Sequence, residues 1–400
     1  MNENKTNINW YGGHMIESRY KKVYEAFIEH YKNVHVCPWH EISEEELNDI
    51  YNSLINRMDV KDKYTFFYMM NYIIKRLSGL EDAHTEYEFW ELLPVNFKII
   101  AGEVLVNYPE ELKGSRLLAV NGIDINKIED ELEEIITYGT EGRRRSKIED
   151  YLFNRVALLS LPSLRGNNKV VYKIQKLDGE IEELEFDNVQ KYKEKMFNVG
   201  EYFYGRPGEY EIRDNALIYK HSSVQPQFEA RIIESIDRLR REDLSNVSKI
   251  IIDLRGNTGG NSKLNDYLMD FLKENVDKDL LVLTDYRVFS AGRYALVDLL
   301  KLGATTIGEE IGTPINCFGE TNRIVHDGYS FASSSAYFYP GKCGVKNKDD
   351  FKRFVVDEIR ESYIFKPDVY VSTTKEDYIN GIDTVLEYAL SYNKNNLLRK

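Results

Sequence analysis

From about Glu211 onward this chain alternates short apolar runs with helical stretches, and that alternation constrains the fold more than any other feature. Ala216-Leu217-Ile218-Tyr219, a helical stretch near Phe228 to Arg241, Ile250-Ile251-Ile252-Asp253-Leu254, a second near Leu264 to Lys273, and Leu280-Leu281-Val282-Leu283-Thr284 follow one another. The order predicts a mostly parallel sheet covered by helices, because parallel neighbours need a crossover and a helix supplies it. Sites in such sheets lie where strands end. The segments after Leu254 and after Thr284 are therefore the first places to look for chemistry.

Upstream the pattern differs. Between Ile16 and about Leu80 apolar residues recur at helical spacing (Val23, Phe27 and Tyr31; Leu47, Ile50 and Leu54; Phe66, Met69 and Ile73), which predicts three helices, with Ser43 and Glu46 as a capping box and Ser78-Gly79 as a stop. From about Pro94 to Arg206 short β-type runs such as Phe97-Lys98-Ile99-Ile100 and Val170-Val171-Tyr172 are broken by Asn121-Gly122 and Asp178-Gly179, with one helix near Lys127 to Ile136. Gly114 to Ile125 resembles the strand-turn-strand of a degenerate PDZ module. The expected organisation is a helical region over 1–92, a β-rich PDZ-like segment over 93–208 and an α/β core over 209–400. The basic run Arg143-Arg144-Arg145 is expected to decorate a solvated surface.

Composition removes some partners. The 53 Lys and Arg against 66 Asp and Glu leave a net charge of −13, which repels phosphate backbones and anionic lipid, so no nucleic acid and no membrane insertion are expected. No long apolar run exists, and the opening Met1-Asn2-Glu3-Asn4-Lys5 has no secretory core behind it, so the expected location is cytoplasmic. Three widely spaced cysteines, Cys37, Cys317 and Cys343, suit reduced thiols. No motif asks for a metal, nucleotide or organic cofactor; His35, Cys37 and His40 lack a second cluster at ligand spacing.

Two strand ends carry chemistry. Ile250 to Leu254 runs into Arg255-Gly256-Asn257-Thr258-Gly259-Gly260, whose glycines let main-chain amides face a cleft, although the Gly-Lys-Ser/Thr ending of a phosphate loop is missing. After Thr284 the chain reaches Phe289-Ser290-Ala291-Gly292 at the start of a helix. Ser290 is either an N-cap or a nucleophile, and in the second case the Ala291 amide and one from Gly259-Gly260 would hold an oxyanion. A nucleophilic serine needs a base. His84, in Asp82-Ala83-His84-Thr85 between the helical and β-rich regions, is the candidate, the alternative being a structural or merely exposed histidine.

In this order, these motifs resemble those of the C-terminal-processing and tricorn-type serine peptidases, together with Gly308-Glu309-Glu310 through Asn316, Phe318-Gly319-Glu320 and the tail from Lys366-Pro367-Asp368 to Gly381-Ile382-Asp383. The resemblance implies a crotonase-like (ClpP-like) αβα core, an acylating Ser290, and oxyanion amides from Gly259 or Gly260 with Ala291. Glu309 to Asn316 contains no lysine, which disfavours a Ser-Lys dyad and favours the tricorn-like branch with His84 as base. That branch also uses a distal glutamate, best matched by Glu361 with Glu358 as competitor, and a serine where this chain has Ala83.

The reading is a serine peptidase acting on peptide or unfolded-protein substrates, with an esterase using the same residues as a variant. The alternative is a non-catalytic ligand- or peptide-binding protein on the same scaffold, to which the departures at Ala83 and Thr258 point.

Overall fold

The computed structural model describes residues 8–58, 60–79, 82–187, 194–338 and 364–393, with side chains from residue 19 onward. Three helices open the chain: α1 (Ile8–Val34), α2 (Glu44–Arg57) and α3 (Lys63–Ser78). The expected capping box is present, the Glu46 amide donating to Ser43 Oγ and the Ser43 amide to the Glu46 carboxylate, so two orphan donors of α2 are satisfied reciprocally. Helix α3 starts at Asp62, which accepts the Tyr64 and Thr65 amides, and stops at Gly79 with φ +54°. Val23, Phe27 and Tyr31 of α1, Leu47 and Leu54 of α2, and Phe66, Ile73 and Ile74 of α3 are buried in one cluster.

A short strand β1 (Glu86–Glu88) leads into β2 (Asn96–Ile100), β3 (Glu103–Tyr108), β4 (Arg116–Val120) and β5 (Ile123–Asp124), then α4 (Ile125–Glu133), α5 (Glu141–Tyr151), α6 (Arg155–Ser160), β6 (Val170–Gln175) and β7 (Ile181–Phe186). The strands pair in the order β2-β3-β4-β6-β7, with β5 on β4. Val104, Leu117, Val120, Tyr172 and Ile174 of this sheet lie in the same apolar cluster as the three helices, so the helical and β-rich regions share a core.

Helix α5 overturns one expectation. Its basic run is not a solvated surface: Arg143 is only 9% exposed, with its guanidinium 3.9 Å from the centre of the Phe289 ring, and Arg145 lies 3.6 Å from that of Tyr286 and bonds Glu309 at 2.9 Å. The buried positions of α5 are mostly charged or polar, Arg143, Ser146, Lys147, Glu149 and Asp150 beside Ile148 and Tyr151, so no continuous apolar stripe marks them.

The last part contains α7 (Val199–Tyr204), β8 (Tyr210–Arg213), β9 (Ala216–Lys220), α8 (Glu229–Leu239), β10 (Lys249–Asp253), α9 (Asn265–Lys273), β11 (Asp279–Thr284), α10 (Ala291–Lys301), β12 (Thr305–Gly308), the hairpin β13 (Cys317–His326) and β14 (Tyr329–Phe338), β15 (Val369–Tyr370), and helices Lys375–Asn380 and Thr384–Ser391. The sheet order is β15-β12-β11-β10-β9-β8, parallel throughout except for β8 on β9. Strand β10 is buried along its whole length, which is why it reads as an unbroken isoleucine run rather than an alternating one. Ile250 and Ile252 pack with Ile236, Leu268 and Leu299 of α8, α9 and α10 on one face, and Ile251 with Val385 and Ala389 of the final helix on the other.

The hairpin leaves this sheet and pairs through β14 with β1, Glu86 opposite Ala332, so a strand from the third region completes a sheet beside the first. Among the described residues no helix is long and apolar enough to cross a membrane.

Candidate active site

Adjacent parallel strands end together, so the turn after β10 and the loop after β11 lie side by side. Cross-links join them: the Gly256 amide donates to Asp285 Oδ1 at 2.9 Å, and the Phe289 amide to the Asn257 carbonyl at 2.8 Å. Arg255, whose guanidinium bonds both Asp253 and Asp383, ties the turn to the tail.

Ser290 heads α10 with φ +51° and ψ −119°, a conformation that a non-glycine residue occupies only at a cost of about 1–3 kcal/mol. Its side chain makes no capping bond, which separates it from the N-cap alternative. Gly259 fits against it because it lacks a Cβ: an added methyl would stand 2.7 Å from Ser290 Cβ and 2.8 Å from the Ala291 nitrogen. The two glycines are not equivalent. The Gly259 amide is taken by Asn257 Oδ1 at 2.9 Å, whereas the bridge between Val224 and Gly260 uses the amides of Val224 and Asn261 and leaves that of Gly260 open. The Ala291 amide, in the first turn of α10, is the second donor without an intrahelical acceptor.

His84 reaches the same place from the other end of the chain. Asp82 Oδ1 accepts the amides of His84 and Thr85 at 3.1 and 3.0 Å and the Ser334 hydroxyl at 2.6 Å, while Oδ2 meets His35 Nε2 at 3.0 Å. The Cys37 amide donates to His35 Nδ1, so Nε2 carries the proton given to Asp82, and the His35-Cys37-His40 grouping is a hydrogen-bonded corner in which His40 bonds the Cys37 carbonyl. Asp82 is held well below the usual carboxylate range, its bonds to His35, Ser334 and Thr85 outweighing burial. The turn it organises presents His84 with the imidazole 4.4 Å from the Phe289 ring, stacked on the residue that precedes Ser290.

The His84 ring is buried, and among the described residues neither nitrogen has a hydrogen-bond partner, so Ser290 and His84 are neighbours without a bond between them. Burial pushes its pKa down to about 4, with Arg143 and Arg293 acting in the same direction and Asp82 and Glu86 against it. The imidazole is therefore neutral near pH 7. His84, Gly260, Ser290 and Ala291 all line one cleft of about 750 Å³, with Trp90, Phe203, Tyr204, Tyr294 and Phe338 supplying aromatic wall. Of the residues read from the sequence, these four are brought together and Gly259 lies directly beneath them, while Glu361 and its competitor Glu358 fall outside the described residues. Two residues bearing on the site were not assigned to it from the sequence: Asn257, inside the glycine motif and fully buried between the loops, and Arg143, in the basic run expected to be solvated.

No family model and no curated protein sequence matches this chain. Solved structures do. The chain is similar to mature CPAF, with 13% identity, 93% of this chain and 95% of that one covered, and a TM-score of 0.58. It is similar to mature CPAF complexed with lactacystin at 12% identity, 94% and 97% coverage and a TM-score of 0.62. A photosystem II D1 C-terminal processing protease is also similar, at 13% identity, 94% and 98% coverage and a TM-score of 0.39. The chain therefore has the fold of the CPAF structures along nearly its whole length, and its ordered motifs resemble those of the C-terminal-processing and tricorn-type serine peptidases.

Proposed function

We propose that the protein is a serine peptidase that hydrolyses peptide bonds of extended polypeptide or peptide substrates. The observation that carries this reading is the convergence, in one cleft, of a serine at positive φ, a neutral buried imidazole with no partner among the described residues, and the amides of Gly260 and Ala291. Core and middle segment are read as crotonase-like and PDZ-like.

In the proposed reaction Ser290 Oγ attacks the substrate carbonyl carbon and its proton passes to His84. The negative oxygen of the tetrahedral intermediate accepts the Gly260 and Ala291 N–H groups. The C–N bond breaks as His84 returns the proton to the departing amine, leaving an acyl ester on Ser290. Water, deprotonated by His84, then cleaves the ester. A ring with two open nitrogens can meet the serine on one side and a carboxylate on the other, and Glu361 is the residue proposed for that second position. Trp90, Tyr204 and Phe338 give the cleft apolar surface for substrate side chains.

The test is reaction with a serine-directed fluorophosphonate and mapping of the adduct. Labelling of Ser290 that is lost in His84→Ala, with peptide cleavage lost in a folded Ser290→Ala variant, supports the dyad. A folded protein that is neither labelled nor active favours the alternative, a binding protein on this scaffold.

A further inference from the structure

We infer that Arg143 is the docking point for a carboxylate of the substrate beside the reacting bond; the inference rests on the hydrolase reading for its ligand, a chain bound in the cleft. Three cations line that cleft: Arg143, Lys147 and Arg323. Lys147 bonds Glu86 at 2.8 Å, and Arg323 is paired with Glu88. Arg143 alone of the three has no ionic partner among the described residues, its guanidinium resting on the Phe289 ring with Nε buried and unbonded.

The acids nearest it in the wall are already used. Glu86 is held by Lys147, and Asp150 bonds Arg287 at 2.9 Å and the Tyr202 hydroxyl at 3.0 Å. A buried cation without an ion-pair partner is unfavourable in the empty protein; Glu86 and Asp150 act on it through space, and a carboxylate entering the cleft would pair with it directly. The guanidinium offers a planar fork of N–H donors that matches a carboxylate in two parallel bonds. Because its platform, Phe289, immediately precedes Ser290 and also carries the His84 ring, a carboxylate seated there lies next to the scissile position. Such an anion also opposes the influence of Arg143 on His84, making the base stronger when that substrate is bound.

The carboxylate has two sources, an acidic side chain or the free C-terminus of the peptide, and matched internally quenched peptides separate them. One set has Glu or Gln at each position with both ends blocked; a second is neutral, with a free or an amidated C-terminus. Cleavage is read as kcat/KM, and affinity of the same peptides is read by anisotropy on Ser290→Ala. One carboxylate position is expected to be favoured over its amide by about tenfold to a hundredfold. The ratio should fall towards one in Arg143→Met, survive in part in Arg143→Lys, and shrink with added salt. Absence of discrimination at every position in the wild type, or discrimination undiminished in Arg143→Met, overturns the inference. If Arg143→Met does not fold, the wild-type ratio and Arg143→Lys decide. If no peptide is cleaved and Ser290 stays unlabelled, the hydrolase reading has failed, and the affinities on Ser290→Ala still decide the carboxylate site.

Discussion

Asn257 accepts the Phe289 amide on its carbonyl oxygen at 2.8 Å, so the glycine turn and the loop that carries Ser290 move as one piece. The side chain extends the same clamp: Oδ1 takes the Gly259 amide and Nδ2 donates to the His221 carbonyl at 2.5 Å.

Replacing this clamp should damage turnover more than binding. Asn257→Ala leaves two buried main-chain groups without partners, costing about 1–3 kcal/mol each, and frees the turn that presents the Gly260 amide. The expected result is a fall in kcat of about a hundredfold, in the range seen when one oxyanion donor is lost, with KM little changed. Steady-state kinetics on a variant shown to be folded by circular dichroism checks it; a pure KM effect contradicts it.

Gly259→Ala tests the contact beneath the nucleophile. Its φ is +98°, and the new methyl would meet Ser290 Cβ at 2.7 Å and the Phe289 carbonyl at 3.1 Å, both rigidly held. Fluorophosphonate labelling of Ser290 is expected to slow by more than about tenfold, the equivalent of only 1.4 kcal/mol of misplacement. Gly256→Ala has nothing within 4 Å of the added methyl, although its φ of +75° adds strain, and should slow labelling less.

The pH dependence follows from burial of His84. In the proposed reaction the base must be neutral, and burial lowers the pKa of His84 to about 4, so kcat/KM should rise with pH through about 4 rather than through the 6.5 of an exposed histidine. An acid limb near 6.5 would show that burial does not govern the ring in the working enzyme and that a carboxylate such as the proposed Glu361 offsets it. Stability should follow the same group. The unfolded chain takes up protons on histidine below about 6.5, whereas His84 and His221 in the folded protein take them up only near 4. Between those values the unfolded state holds more protons, so unfolding free energy drops as pH is lowered across the window. The drop should be smaller in His84→Gln, as measured by urea unfolding at pH 7 and pH 4.5.

A buried ionic network joins the β-rich region to the loop before Ser290. Arg287 donates to Glu149 at 2.8 Å and Asp150 at 2.9 Å, and Lys98 and Tyr286 also meet Glu149, whose pKa falls to about 2 because Lys98, Arg287 and Arg145 outweigh its burial. Removing one partner strands the others, so Arg287→Met should destabilise the protein by about 3–5 kcal/mol. Glu149 contributes stability fully above its unfolded pKa of about 4.3 and loses it as pH falls through about 2. Denaturation midpoints of wild type and Glu149→Gln should therefore converge towards pH 2.

How much of this was legible in the chain depended on whether the physics was local. The capping box at Ser43 and Glu46, the stop at Gly79 and the strand at Ile250 to Asp253 are written in consecutive residues, and each forms as expected. The meeting of His84 and Ser290 in one cleft was reached through ordered motifs, since no periodicity links residues so far apart. Helix α5 was lost because hydrophobic patterning marks a buried face only when that face is apolar, and here Arg143, Lys147, Glu149 and Asp150 are buried instead. The division of labour between Gly259 and Gly260 was equally hidden, because it depends on where one asparagine side chain turns.

The pairing of β1 with β14 also sets when activity can arise. The turn bearing His84 is anchored through Asp82 to Ser334, which is synthesised after Ser290. A chain emerging from the ribosome thus has its histidine first, its serine much later, and the strand that fixes them relative to each other later still. On the proposed reading, a chain that ends before Ser334 lacks the bond that holds the Asp82 turn, and with it the fixed position of His84.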